Sequence, residues 1–234
     1  MKEQRIHITG DIEYNIVYSG RRTIGISILP DSRVVIRVPY YTTIKTIERL
    51  VLNKYSWILK HRDNYRQAGT TSQTRSYTNG ELHLFRGRKC ALQIERSARS
   101  YVRFGDDRIE LGTEKKDDPE AIKKLLYTGY KREAMLVFPV FLYKTLTLFE
   151  KEGFKPSSLV IRTMKRRWGS CSNKGVITLS TELIKLEDKY IEYVITHELC
   201  HLKHHNHGKK YYELLTRLYP DWKSVRKELK SYIQ

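Results

Sequence analysis

The stretch from Tyr190 to Asn206, YIEYVITHELCHLKHHN, constrains this chain more than any other, because its apolar residues recur at helical spacing and it carries His197 and His201 one turn apart. At about 100° per residue, His197, His201, Tyr190 and Val194 share one face, and Ile191, Ile195, Leu199 and Leu202 form a second stripe. Two imidazoles at that spacing can reach one ion. Glu198 lies beside them, where its carboxylate can take a proton from water without being a ligand. Zinc held by such a helix lowers the pKa of water to about 7, so the chemistry implied is metal-assisted hydrolysis with Glu198 as the catalytic base and one Zn²⁺ per chain. The competing reading, a helix whose histidines only pack or meet solvent, does not account for the adjacent glutamate or for the further histidines that follow directly.

A catalytic zinc takes three protein ligands and leaves a position for water. His204, His205, His207 and Glu213 are the nearby candidates for the third. His207 is favoured, because Asn206-His207-Gly208 reads as a turn that brings the chain back toward the ion.

Upstream, Arg162-Thr163-Met164-Lys165-Arg166-Arg167-Trp168-Gly169-Ser170-Cys171-Ser172 precedes a short strand and then His-Glu-Leu-Cys-His and Asn206-His207. This succession resembles the YgjP-like zinc metallopeptidases, relatives of the SprT-type proteases and of the gluzincins. Arg21-Arg22-Thr23-Ile24, Pro30 to Val35 and Lys54-Tyr55-Ser56-Trp57-Ile58 match the leading region of that family, so the resemblance spans nearly the whole chain. It implies His197, His201 and His207 as the metal ligands, Glu198 as general base, and a peptide or protein substrate. The spacing of the three histidines also equals that of metzincins. His204 stands where those have glycine, however, and no methionine follows to make their turn, so that class is disfavoured.

Charge points to possible partners. Lys and Arg total 44 against 26 acids, a net +18, which favours contact with polyanions, nucleic acid or nucleotide, through the basic surface. Two alternatives to a peptidase follow: a metal-dependent nucleoside triphosphate pyrophosphohydrolase, and a nucleic-acid-associated binding module whose zinc is structural. No hydrophobic run reaches membrane-spanning length, Met1 to Arg5 lead into no signal core, and three cysteines (Cys90, Cys171, Cys200) are too few for a disulfide framework. The expectation is a cytoplasmic protein without membrane contact.

Read in order, residues 1–66 suggest a β-meander followed by one amphipathic helix from Thr42 or Thr43 to about Asn64, with Ile44, Ile47, Val51 and Ile58 inward. Residues 67–76 are a polar linker or loop, 77–113 a second β-rich segment, and 114–234 the catalytic region. Asp117-Asp118-Pro119-Glu120 starts a long helix interrupted by Pro139 and closed by Gly153. No internal repeat is evident. Around Trp168 the chain pairs with an extended peptide by adding it to a strand edge, or clamps phosphates with Lys165, Arg166 and Arg167, or is a hairpin with a core tryptophan and solvated cations. Arg166, Trp168, Gly169, Ser170 and Tyr212 are candidate substrate-binding residues, with Arg162 as a further charged candidate. The fold expected is α+β, a β-rich N-terminal region followed by what the resemblance implies is a helix-rich, gluzincin-like zinc metallopeptidase domain with a small sheet.

Overall fold

Two β-hairpins and then helix is the plan of the first unit, Met1–Arg75, in a computed structural model that describes residues 6–29, 31–68, 75–164 and 166–232. Pro30 in the expected second turn, most of the expected linker (69–74) and Lys165 lie outside the described residues. Strands β1 (Ile6–Thr9), β2 (Ile12–Ser19), β3 (Gly25–Ile28) and β4 (Val34–Pro39) form one sheet in the order β1-β2-β4-β3. The expected meander is therefore corrected: β4, not β3, lies beside β2, and it runs parallel to it. The reason is burial. β4 is apolar nearly throughout and almost wholly buried, which suits a central position, whereas Gly25 and Ser27 weaken β3 and send it to the edge.

The single helix expected after β4 is two, α1 (Ile44–Asn53) and α2 (Tyr55–Ala68). Thr43 caps the first, its hydroxyl accepting from the Thr46 N–H. At Lys54 the N–H is shared between the Leu50 and Val51 carbonyls and the turn tightens, while the Tyr55 hydroxyl donates to Asp11 at 2.6 Å. Ile47, Val51 and Ile58 are fully buried in one cluster with Ile12, Tyr14 and Ile36, as their spacing required.

The second unit, Ser76–Gln234, begins by repeating that plan. β5 (Leu82–Phe85), β6 (Arg88–Arg96), β7 (Tyr101–Phe104) and β8 (Arg108–Thr113) take the order β5-β6-β8-β7, with β6 and β8 parallel and the outer pairs antiparallel. A capped helix follows, α3 (Pro119–Leu148), with Asp118 accepting from the Glu120 and Ala121 N–H groups. At one constant spacing Asp118 stands for Thr43, Ile122 for Ile47, Leu126 for Val51, Ile109 for Val34 and Leu111 for Ile36, and all the apolar members of these pairs are buried. The chain thus contains an internal structural repeat that its sequence does not advertise, because burial is kept while residue identity is not.

The long helix α3 continues through Pro139, and Gly153, at φ 63°, closes the short turn beyond it. A three-stranded sheet follows: β9 (Ser158–Arg162), β10 (Gly169–Cys171) and β11 (Val176–Ser180), with β11 central, parallel to β9 and antiparallel to β10. Three helices complete the unit: α4 (Asp188–Lys203), α5 (Lys209–Leu218) and α6 (Trp222–Lys230). The whole is α+β. Among the described residues no helix is long and apolar enough to cross a membrane.

Helix α4 sits in the middle of the second unit's core, and most of its residues from Tyr190 to Cys200 are buried. Its first turn is fixed from the repeat sheet, where Arg86 grips Asp188 with two parallel hydrogen bonds, from Nε at 3.0 Å and from Nη2 at 2.5 Å. Its last turn is fixed by Glu152, which accepts from Lys203 at 2.9 Å and also binds Arg217 of α5. The helix that carries the histidines is held at both ends.

Candidate active site

Helix α4 ends at Lys203, and His204 adopts an extended conformation that reverses the chain. Gly208 then starts α5, so His207 lies in the short link between the two helices. This link folds His207 back onto α4. Its Nε2 is 3.3 Å from Nε2 of His197, and one ligand nitrogen from each of His197, His201 and His207 can be chosen so that all lie within 4.8 Å of one another. His204, His205 and Glu213 are not part of this cluster. His204 instead offers its carbonyl, which faces Nδ1 of His201 at 3.1 Å.

That carbonyl decides a tautomer. It can only accept, so Nδ1 of His201 carries the proton and Nε2 is left with a free lone pair. Burial holds His197 down to about 3, with His201 and His207 nearby adding to the effect and Arg226 contributing. Burial also lowers His201 and His207. Burial thus favours the neutral form of all three rings, and one nitrogen of each can be turned to a common point. Two imidazole nitrogens on a tetrahedral ion with bonds of about 2.0–2.1 Å stand roughly 3.3–3.4 Å apart, the separation seen between His197 and His207. The donor set fits a borderline metal such as zinc. Among the described residues His197 Nδ1 is buried without a hydrogen-bond partner, so unlike His201 this ring is oriented by packing.

The packing comes from Tyr211. Its ring centroid is 5.4, 4.7 and 4.6 Å from those of His197, His201 and His207, and its hydroxyl donates to the His197 carbonyl at 3.2 Å. Tyr211 is fully buried and forms the floor of the histidine cluster. The sequence reading had singled out its neighbour. Tyr212 stacks on Trp222 instead, 5.1 Å between centroids, and its hydroxyl lies 3.5 Å from Arg226 Nη1. The stripe Tyr211, Leu214, Leu215, Leu218 was the available signal, since a residue on the buried face of α5 is the one that meets α4.

Glu198 is only 4 % exposed, and burial raises its carboxyl to about 8 against a small opposing pull from Arg167. It lies directly beneath strand β10. A methyl group built on Gly169 would stand 2.6 Å from Glu198 Oε1 and 2.8 Å from a Val194 methyl, so the backbone approaches the carboxylate as closely as only glycine allows. Among the described residues β10 is an edge strand, paired on one side alone.

A cleft of about 300 Å³ opens over these groups. One wall is the segment Arg166, Arg167, Trp168 and Gly169; the floor is Tyr193, Val194, His197, Glu198 and His207; the far wall is Arg226, Leu229 and Lys230 of α6. Of the candidates read from sequence, Arg166, Trp168 and Gly169 line it with Glu198, His197 and His207. Ser170, Tyr212 and Arg162 do not: Ser170 follows Gly169 on a strand and alternates to its other face, and Arg162 lies at the end of β9. The wall formed by Arg226, Leu229 and Lys230 has no counterpart among the candidates read from sequence.

A family model described as the YgjP-like metallopeptidase domain matches residues 22–232. Two solved structures are similar over part of the chain. The metallopeptidase zymogen abylysin of Pyrococcus abyssi is 23% identical, over 42% of this chain and 96% of that one, with a TM-score of 0.38. The metallopeptidase zymogen jannalysin of Methanocaldococcus jannaschii is 18% identical, over 42% of this chain and 97% of that one, with a TM-score of 0.36. No curated protein sequence matches the chain.

Proposed function

The chain belongs to the YgjP-like metallopeptidase family, and from that membership we propose that it is a zinc peptidase in which His197, His201 and His207 hold the metal and Glu198 moves the proton. The observation that carries this is the convergence of three imidazoles beside a buried carboxylate at the floor of an open cleft.

Zinc bound there supplies Lewis-acid polarisation of the scissile carbonyl and brings the pKa of a water toward about 7. Glu198 accepts the proton of the attacking water on a carboxylate oxygen and delivers it to the leaving nitrogen. Burial alone would keep this carboxyl protonated at neutral pH, and its ionised form is favoured beside a dication. Gly169 leaves the carboxylate room, and the free edge of β10 can take up an extended peptide through backbone hydrogen bonds. Tyr211 keeps the imidazole of His197 from turning away.

The test is removal and return of the metal. Chelation should abolish cleavage of a denatured-protein mixture, and about one equivalent of zinc should restore it while raising Tm. Restored folding without any hydrolysis would mean that the zinc is structural. Metal-dependent release of pyrophosphate from nucleoside triphosphates, with no peptide cleaved, would move the activity to nucleotides.

A further inference from the structure

The cleft is cationic in a way the hydrolytic chemistry does not require. Four of its lining side chains are Arg166, Arg167, Arg226 and Lys230, against the one carboxylate of Glu198, which is buried and committed to the reaction. Among the described residues none of the four cations has an ion-pair partner, although many lysines and arginines elsewhere do, as with Arg86 and Asp188 or Arg217 and Glu152. A cation that faces a metal position with no counter-charge is unfavourable unless an anion enters between them.

Arg226 is the best placed. It is half-buried, its guanidinium lies 5.9 Å from the Trp222 ring centroid and 3.5 Å from the Tyr212 hydroxyl, and it lines the cleft together with His197 and His207. These contacts keep it beside the cleft, and a side chain already there loses less entropy on binding. Lys230 stands one helical turn further on the same face of α6, with buried Leu229 between them. Tyr193, Val194 and Leu229 give this wall an apolar base with a charged rim. An acidic side chain on a short apolar stem matches that combination. Arg166 and Arg167 present a second pair of positive charges on the wall that leads to the β10 edge. An extended peptide lying along β10 alternates its side chains, so one set would point across the cleft to α6.

We propose that this cleft selects acidic peptide segments, with Arg226 and Lys230 binding the carboxylate of an Asp or Glu next to the scissile bond. The proposal rests on the peptidase reading and adds to it the class of substrate.

The experiment compares peptides identical except for Glu, Gln or Lys at the variable positions. The zinc-loaded full chain is assayed for kcat/KM, and its Glu198→Gln form for binding by fluorescence anisotropy. The Glu peptide should exceed its Gln isostere by at least about fivefold in both, and the margin should shrink as salt is raised. Arg226→Glu should transfer the preference to the Lys peptide. Lys230→Glu, at an exposed position, should do so partially and guards against misfolding of the first variant. Glu198-dependent cleavage with equal kcat/KM for Glu and Gln peptides overturns the proposal and leaves the peptidase reading standing. Absence of both cleavage and binding for every peptide, with Glu198-dependent pyrophosphate release, overturns the two together and assigns the cations to phosphate.

Discussion

Replacing Gly169 with alanine tests whether the closeness of β10 to Glu198 matters. The added methyl would meet Glu198 Oε1 at 2.6 Å, Glu198 Cγ at 2.9 Å and Val194 Cγ1 at 2.8 Å, all below the 3.0 Å under which something must move. Ordinary contact begins at 3.4 Å, so the carboxylate must withdraw by roughly 0.8 Å, or the edge strand must lift by as much. Neither neighbour can give way into solvent, since Glu198 and Val194 are each 4 % exposed. Overpacking of this kind costs about 1–3 kcal/mol of stability, and a catalytic group misplaced by about 1 Å loses on the order of 10²-fold in rate. In Gly169→Ala the expected result is therefore a kcat/KM for peptide about a hundredfold below wild type, with zinc content unchanged because no ligand is touched. Alanine scanning of Ser170, on the other face of the strand, is the control. Wild-type activity in Gly169→Ala would refute the reasoning, for it would show that Glu198 does not need the position that this glycine leaves open.

Further expectations concern the supports of the site. In Tyr211→Phe the hydrogen bond to the His197 carbonyl is lost while the ring remains, which should cost about 1 kcal/mol and lower Tm by roughly 2–4 °C; calorimetry with unchanged Tm would show the hydroxyl to be idle. Glu152 is held down to about 2 by Arg217 and Lys203, from an ordinary value of 4.5. The unfolded chain therefore binds the extra proton between those values, and the stability Glu152 contributes is present above about 4.5 and lost as pH falls toward about 2. Wild type should be more stable than Glu152→Gln at pH 7, and the difference should vanish near pH 2; a difference independent of pH in denaturant titrations would assign the effect to packing.

What was legible in the sequence was whatever is local. His197, Glu198 and His201 are set by one helix, and the turn at Asn206-His207-Gly208 announced a third imidazole at close range. The caps at Thr43 and Asp118, the spacing of Ile47 and Val51, and the break at Gly153 likewise depend on a few neighbouring residues. What was hidden depends on partners far along the chain. The pairing of β2 with β4 is a contest between strands for the centre of a sheet, decided by burial, and no single turn signal records it. Tyr211 and Tyr212 are neighbours on α5 and both aromatic, and which of them meets the histidines depends on how α5 packs on α4, a long-range contact. The amphipathic pattern of Trp222, Val225 and Leu229 marks α6 as a helix, but nothing local places its Arg226 and Lys230 across the cleft. The repeat escaped because Tyr14 answers to Leu92 and Ile12 to Cys90, a match of buried positions with little match of letters.

The proposed role of Glu198, moving the proton at a zinc held by three histidines, is tested by zinc content and peptide turnover measured on one preparation each of wild type and Glu198→Gln. About one zinc per chain is expected in both, with turnover in the variant reduced by about 10²–10⁴-fold. Turnover retained in Glu198→Gln would remove the carboxylate from the mechanism, and loss of zinc from that variant would make Glu198 part of the metal's support instead.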